Sequence, residues 1–192
     1  MKDSASAYDV CAQEFLRVRD RSTIGVDVLN SWAKSLEPGT DLIEVGCGGG
    51  WPVTKTLAAL DLNLWAVDSS PTMLATFGSR FPDIPTECAS ALDATYFGRL
   101  YGAAIAIGLV FLLSAEGQER FIRRISQVLT PRARFLFTAP VELGTWVDVT
   151  TGIECRSLGL DSYAKILGEA GFVIRATYID EGKNNYYEVV RE

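Results

Sequence analysis

The sequence predicts an α/β fold, a seven-stranded and mostly parallel sheet with helices on both faces. From Asp41 onward, short apolar runs alternate with stretches of helical period, the pattern of buried strands joined by crossover helices. A glycine cluster, Gly46 to Gly50, falls between the first strand and the helix after it. The last two strands, separated only by Asp180 to Asn184, are close enough to pair antiparallel.

Two helical stretches open the chain. Tyr8, Ala12, Phe15, Leu16 and Arg19 share one side of the first, and Arg17, Arg19 and Arg21 cluster at its end. Val28, Leu29, Trp32 and Leu36 mark the second, from Val26 to Leu36, which stops at Pro38-Gly39. Residues 1–38 are read as a helical cap on a single domain spanning 1–192. A strand over Asp41 to Val45 enters the glycines, and a helix follows over Pro52 to Leu60. Leu62 to Val67 is a second strand, ending at Asp68. Pro71 to Arg80 reads as a helix, with Ser69 or Ser70 available as N-cap and Pro71 suited to its first turn. Strands follow at Ile84 to Cys88 and Gly102 to Leu109, then a helix from Glu116 to Leu129 closed by Pro131. Arg134 to Thr138 is the fifth strand. A loop leads to a helix over Asp161 to Ala170, and Phe172 to Ile179 and Tyr186 to Val190 complete the sheet.

The composition excludes several classes. At 192 residues, 48% hydrophobic, with nine Phe, seven Tyr and four Trp, the chain suits one globular domain and not a disordered one. A net charge of −6 argues against binding a phosphate backbone, and no basic run reverses this locally. The longest apolar stretch, Tyr101 to Leu113, is too short to span a bilayer, and Met1 to Val10 carries no apolar signal segment. The expectation is a cytoplasmic protein without membrane or nucleic-acid partners. Four separated cysteines and no histidine make a metal site improbable, and none is expected.

The chemistry is carried by Glu44-Val45-Gly46-Cys47-Gly48-Gly49-Gly50-Trp51-Pro52. Glycines here let the backbone turn tightly and approach a ligand, although the same loop can serve as a plain turn. The dinucleotide fingerprint GxGxxG needs a small third residue, and the chain has Trp51 counted from Gly46 and Val53 counted from Gly48. Asp68 stands at the end of the next strand, 18 residues past Gly50. A carboxylate there can accept both hydroxyls of an adenosine ribose, or act as the acid before a helix N-terminus. Loop and acid together point to an adenosine-containing cofactor.

Glu44-x-Gly46-x-Gly48-x-Gly50, Asp68 and seven strands ending in a hairpin resemble the class I S-adenosylmethionine-dependent methyltransferases. The resemblance runs from about Tyr8 to the end of the chain. Within that class it is similar to the bacterial small-molecule group with a terminal Asp-Glu-Gly-x-Asn tail, here Asp180 to Asn184. It implies a Rossmann-like sheet of order 3-2-1-4-5-7-6 with the last strand antiparallel, S-adenosylmethionine as cofactor and S-adenosylhomocysteine as product. It implies that Glu44, Gly46 and Gly48 line the methionine end and that Asp68 holds the ribose. Met73 would lie beside the adenine, Ser90-Ala91-Leu92 at its edge, and Ile107-Gly108 would offer a carbonyl to the ammonium. Tyr8, Cys47, Trp51 and Ser69 complete the implied cofactor-binding set. Relatives commonly carry Asp where this chain has Ser90, a neutral and weaker acceptor.

For the acceptor, aromatic residues at strand ends are the candidates: Phe111, Trp146 and Tyr186 or Tyr187, with Tyr8 from the N-terminal helix as a lid. Methyl transfer from a sulfonium is an in-line displacement, so walls that orient the reactants and exclude water suit it. Without histidine, a catalytic base would have to come from Glu142, Asp148, Tyr8 or a C-terminal tyrosine, and a soft or already ionised nucleophile would need none. The functional expectation is methyl transfer to a small molecule. The alternatives are a protein that binds S-adenosylmethionine without transferring methyl groups and, less favoured by the loop, a nicotinamide-dependent oxidoreductase. The acceptor and the oligomeric state are not legible in the sequence.

Overall fold

The computed structural model describes residues 12, 14, 16–148 and 151–192. Residues 16–19 are helical, and Tyr8 lies outside the described residues. The elements that follow are α1 (Val26–Ala33), β1 (Thr40–Val45), α2 (Val53–Leu57), β2 (Leu62–Asp68), α3 (Pro71–Arg80), β3 (Thr86–Cys88) and β4 (Tyr101–Ala106). After these come α4 (Ala115–Gln127), β5 (Leu129–Thr138), β6 (Leu143–Val147), β7 (Glu154–Leu158), α5 (Leu160–Glu169), β8 (Phe172–Ile179) and β9 (Asn185–Arg191).

Seven strands form one sheet in the order β3-β2-β1-β4-β5-β9-β8. The first five run parallel, and β9 pairs antiparallel with both β5 and β8. This is the expected Rossmann-like order, renumbered because β6 and β7 form a separate hairpin. That hairpin corrects the sequence reading, which had a loop between Thr138 and Asp161. Every residue of β6 is exposed, so no burial alternation marked it as a strand.

A second correction concerns Pro131. The helix before it ends at Gln127, and β5 has already begun at Leu129. Pro131 lies where the pairing register of β4 and β5 slips, between Tyr101↔Leu129 and Ala103↔Arg134. A bulge tolerates the missing N–H that a regular ladder would not. The helix after the glycine loop is also shorter than expected, ending at Leu57.

Alternation along the strands divides the core. Leu42, Ala103, Ile105, Leu136 and Tyr186 face one side and pack on Leu29 and Trp32 of α1 and on Val53 and Leu57 of α2. Ile43, Val45, Ala104, Phe135, Phe137 and Tyr187 face the other side, against Phe121, Ile122 and Ile125 of α4 and Tyr163 and Leu167 of α5. On that side Phe137 stacks between Phe135 and Tyr187, with ring centroids 5.0 and 4.9 Å away. Helix α1 is therefore part of the layer that covers the sheet. Ser70 caps α3, its Oγ accepting from the Met73 N–H at 3.2 Å, with Pro71 at the first helical position.

The start of α1 is fixed to the C-terminal hairpin. Tyr186 Oη donates to Asp180 Oδ2 at 2.9 Å, Asn184 N donates to Asp180 Oδ1 at 2.8 Å, and Gly25 N donates to Glu181 Oε1 at 3.3 Å. Gly25, the N-cap, has φ +79°, and a Cβ there would overlap the Tyr186 hydroxyl. Gly25→Ala therefore combines left-handed strain with overpacking and should lower stability by about 2 kcal/mol or more. Urea denaturation checks this; a loss under about 0.5 kcal/mol, the range of neutral surface changes, would contradict it.

Candidate functional site

The parallel strands β1, β2, β4 and β5 present their carboxyl ends on one edge, and the strand order reverses between β1 and β4. That reversal opens a crevice, the usual ligand site of such sheets. The glycine loop lies across it. Gly46 N and Cys47 N both donate to Val67 O, at 2.8 and 3.2 Å, which folds the loop back onto the end of β2. Gly48 has φ +53°, and among the described residues no atom beyond its chain neighbours lies within 4 Å of where its Cβ would stand. Glycine is thus required there by backbone conformation, and the bare backbone faces open space.

Asp68 terminates β2 and holds the crevice together. Its Oδ2 accepts from Gly48 N at 2.8 Å and its Oδ1 from Ser70 N at 2.9 Å. The carboxylate thus ties the loop after β1 to the cap of α3.

Glu44, in β1, is 4% exposed and accepts from Thr54 Oγ1 at 2.6 Å. Burial pushes its pKa up to about 8; the Thr54 hydrogen bond opposes this, the Asp68 charge adds to it, and Arg19 opposes it weakly. Such a carboxyl is neutral near pH 7 until a cation arrives to favour its ionised form. Cys47 differs: burial and the charges of Glu44 and Asp68 hold its thiol well above its ordinary range, which makes it a poor nucleophile. Burial and the bond to Asp180 likewise keep the Tyr186 phenol protonated.

These groups surround a cavity of about 260 Å³. It brings together Glu44, Gly46, Cys47, Gly48, Trp51, Asp68, Ser69, Met73, Ala91, Ile107 and Gly108 of the expected cofactor set, and Phe111, Tyr186 and Asp148 of the expected acceptor side. Other expected residues stand apart. Ser90 is exposed, its hydroxyl accepting from Leu92 N at 3.2 Å, and Leu92 packs toward Gly117, so the wall there is built by Ala89 and Ala91. Trp146 does not line the cavity but packs on Phe111 from the β6–β7 hairpin, with ring centroids 5.6 Å apart. Glu142 is exposed and outside the lining, whereas Asp148 lines it, with its Oδ1 accepting from Thr151 N and Oγ1 at 2.8 and 2.7 Å.

The sequence reading missed Arg19, Thr138 and Asn184, all of which line the cavity. Thr138 ends β5 and accepts from Gly108 N at 2.8 Å, which positions the turn after β4. Its place at a strand end was the available signal. Among the described residues, no group of three or more metal-ligating side chains occurs and no helix is long and apolar enough to cross a membrane.

Residues 42–132, from β1 into β5, match the model of the methyltransferase-domain family. The matched stretch is similar to a methyltransferase domain. Its fold is similar to magnesium protoporphyrin IX methyltransferase from Synechocystis PCC 6803, solved with bound S-adenosylhomocysteine: TM-score 0.79, 15% identity, over 98% of this chain and 97% of that one. It is similar also to CalS10, an amino pentose methyltransferase from Micromonospora echinaspora, at TM-score 0.75 and 14% identity, over 94% and 97% of the two chains. The [4+2]-cyclase SpnF aligns at TM-score 0.78 and 16% identity, over 97% and 94%. No curated protein sequence matches.

The ionisation of Glu44 gives the stability of this chain a pH signature. In the unfolded chain this group titrates near 4.5, and in the folded domain near 8. Below the lower value it is protonated in both states and costs nothing. As pH rises through this window the unfolded state ionises first, so the folded state loses stability until about pH 8. Glu44→Gln should flatten the fall in ligand-free stability between about pH 5 and 8, measured by urea denaturation across that range. An unchanged pH profile would show that Glu44 is ionised in the folded domain.

Proposed function

We propose that this chain is a cytoplasmic, single-domain S-adenosylmethionine-dependent methyltransferase whose acceptor is a small molecule. The observation that carries the reading is the placement of Glu44 and Asp68, two carboxylates on neighbouring strands, on either side of a glycine loop whose backbone faces the cavity. Their spacing suits a ligand with a cation at one end and a diol further along. The family match over residues 42–132 and the structural neighbours support it. The net charge of −6 favours a small-molecule acceptor over a nucleic acid.

In this reading Glu44 sits at the methionine end, with Gly46 and Gly48 beneath it, and Asp68 accepts from the ribose. Met73, 2% exposed, and Ala89 and Ala91 make the apolar slot for the adenine. When bound, the cofactor supplies an electrophilic methyl carbon on a sulfonium. Phe111, backed by Trp146, walls the acceptor side, orienting the nucleophile and excluding water. Tyr186 holds its proton toward Asp180 and acts as a fixed wall. Asp148 is the carboxylate that reaches the cavity from this side, so it would be the base for an acceptor that must lose a proton. Glu142 would not.

Trp51 occupies the position where a dinucleotide turn needs a small residue, which disfavours nicotinamide cofactors. A thermal-shift series tests this. S-adenosylhomocysteine at 100 times its dissociation constant should stabilise the fold by about 2.7 kcal/mol, and NADH should do nothing. A shift with NADH and none with S-adenosylhomocysteine would overturn the proposal.

A further inference from the structure

The acceptor side of the cavity carries a carboxylate in a fixed position. Asp148 follows β6, two residues beyond Trp146, a spacing that puts both on one face of an extended chain. Its main chain is held at both ends, with Asp148 N donating to Ile153 O and Gly152 N donating to Asp148 O, each at 2.8 Å. Thr151 orients its side chain, donating to Oδ1 from both N and Oγ1. The β6–β7 hairpin is in turn fastened to the turn that carries Phe111. Gln118 of α4 is fully buried, and its Nε2 donates to Leu113 O at 3.0 Å and to Arg156 O of β7 at 2.8 Å. Its Oε1 accepts from Tyr163 Oη at 2.7 Å, so the amide cannot rotate without breaking all three bonds. One carboxylate and the apolar side chains of Phe111, Leu109 and Leu112 therefore line the cavity from segments that are locked together. The basic side chain among the described lining residues, Arg19, acts electrostatically on Glu44 and Tyr186, whereas Asp148 acts on Cys155 of β7.

We propose that the methyl acceptor is an amine, its nitrogen held by the Asp148 carboxylate and its apolar part laid along Phe111. The proposal rests on the cofactor reading above. Its basis is where the positive charge goes. An uncharged amine forms the new N–C bond with its lone pair while the C–S bond breaks, and that electron pair stays on sulfur as a thioether. The charge thus leaves sulfur and arrives on nitrogen, as an N-methylammonium. A carboxylate fixed beside the nitrogen stabilises the charge as it develops. Before the reaction the same group draws in the protonated amine, whose proton passes by way of Asp148 to water. An aromatic wall also attracts a cation. With a phenolate, thiolate or carboxylate acceptor, the charges of nucleophile and sulfonium cancel instead. Asp148 would then face a like charge and disfavour its binding.

The test loads the chain with S-adenosylhomocysteine and titrates it with benzylamine, benzyl alcohol and benzoate, probes of one skeleton, by ligand-observed NMR. Benzylamine should bind most tightly and benzoate most weakly. Asp148→Asn keeps an oxygen for the Thr151 donors but loses the charge. It should weaken benzylamine by about 10-fold or more, the scale of a charge-assisted hydrogen bond, and leave benzyl alcohol nearly unchanged. Equal weakening of the amine and the alcohol would mean that Asp148 shapes the pocket without holding a cation, and would overturn the assignment. Wild-type affinity for benzylamine in the Asp148→Asn protein would do the same. Benzoate binding more tightly than benzylamine, or no binding of any probe to the loaded chain, would remove the amine and leave the cofactor reading standing. So would an acceptor found to be methylated on an ionised oxygen or sulfur. A chain that does not bind S-adenosylhomocysteine would overturn the cofactor reading itself, and this assignment with it.

Discussion

The carboxylate of Asp68 joins the two loops that make the crevice. Through Gly48 N it fixes the turn after β1, and through Ser70 N it fixes the cap of α3. Without it, the glycine loop would keep its bonds to Val67 O at the end of β2 but Gly48 would lose its tie to the cap of α3. A negative charge held by backbone N–H groups is also set beside a buried carboxyl, and Asp68 contributes to the raised pKa of Glu44. Structure and electrostatics of the site meet at this residue.

The sheet supplies the rest by alternation. One face of its strands is apolar throughout the core, yet Glu44, Thr138 and Tyr186 occupy the same face as Leu42, Leu136 and Ile105, toward α1 and α2. Each polar group is satisfied within the protein: Glu44 by Thr54, Thr138 by Gly108 N, Tyr186 by Asp180. Buried polar groups are tolerated on these terms, and satisfied networks rigidify what they join. The side chains near the strand ends are thus fixed before any ligand binds, which suits a reaction that depends on orientation more than on proton transfer.

Much of this was legible in the chain. The alternation of apolar runs and helical stretches specified the sheet, and Gly46 to Gly50 with Asp68 located the crevice. What escaped the sequence depends on tertiary contact. The β6–β7 hairpin lacks the burial pattern that betrays a strand, because β6 is exposed along its length. Pro131 read as a stop signal, whereas a bulge lets β5 run through it. Ser90 sits at the expected position but is drawn into a local turn by its own hydroxyl. Arg19 reads in the sequence only as one of three arginines clustered at a helix end, because its placement depends on Asp20 meeting Arg80, 60 residues away. The resemblance to the class I methyltransferases predicted the strand order, which periodicity alone does not determine.

The most direct test of the account is the affinity of the Asp68→Ala protein for S-adenosylhomocysteine, measured by calorimetry alongside its unfolding transition. A carboxylate that accepts from the ribose while it shapes the glycine loop should be worth about 1.5–3 kcal/mol of binding, a loss of roughly 10- to 150-fold, in a protein that still unfolds cooperatively. A folded Asp68→Ala protein with wild-type affinity would contradict the account, leaving Asp68 as a helix-capping residue and the crevice without its ribose partner.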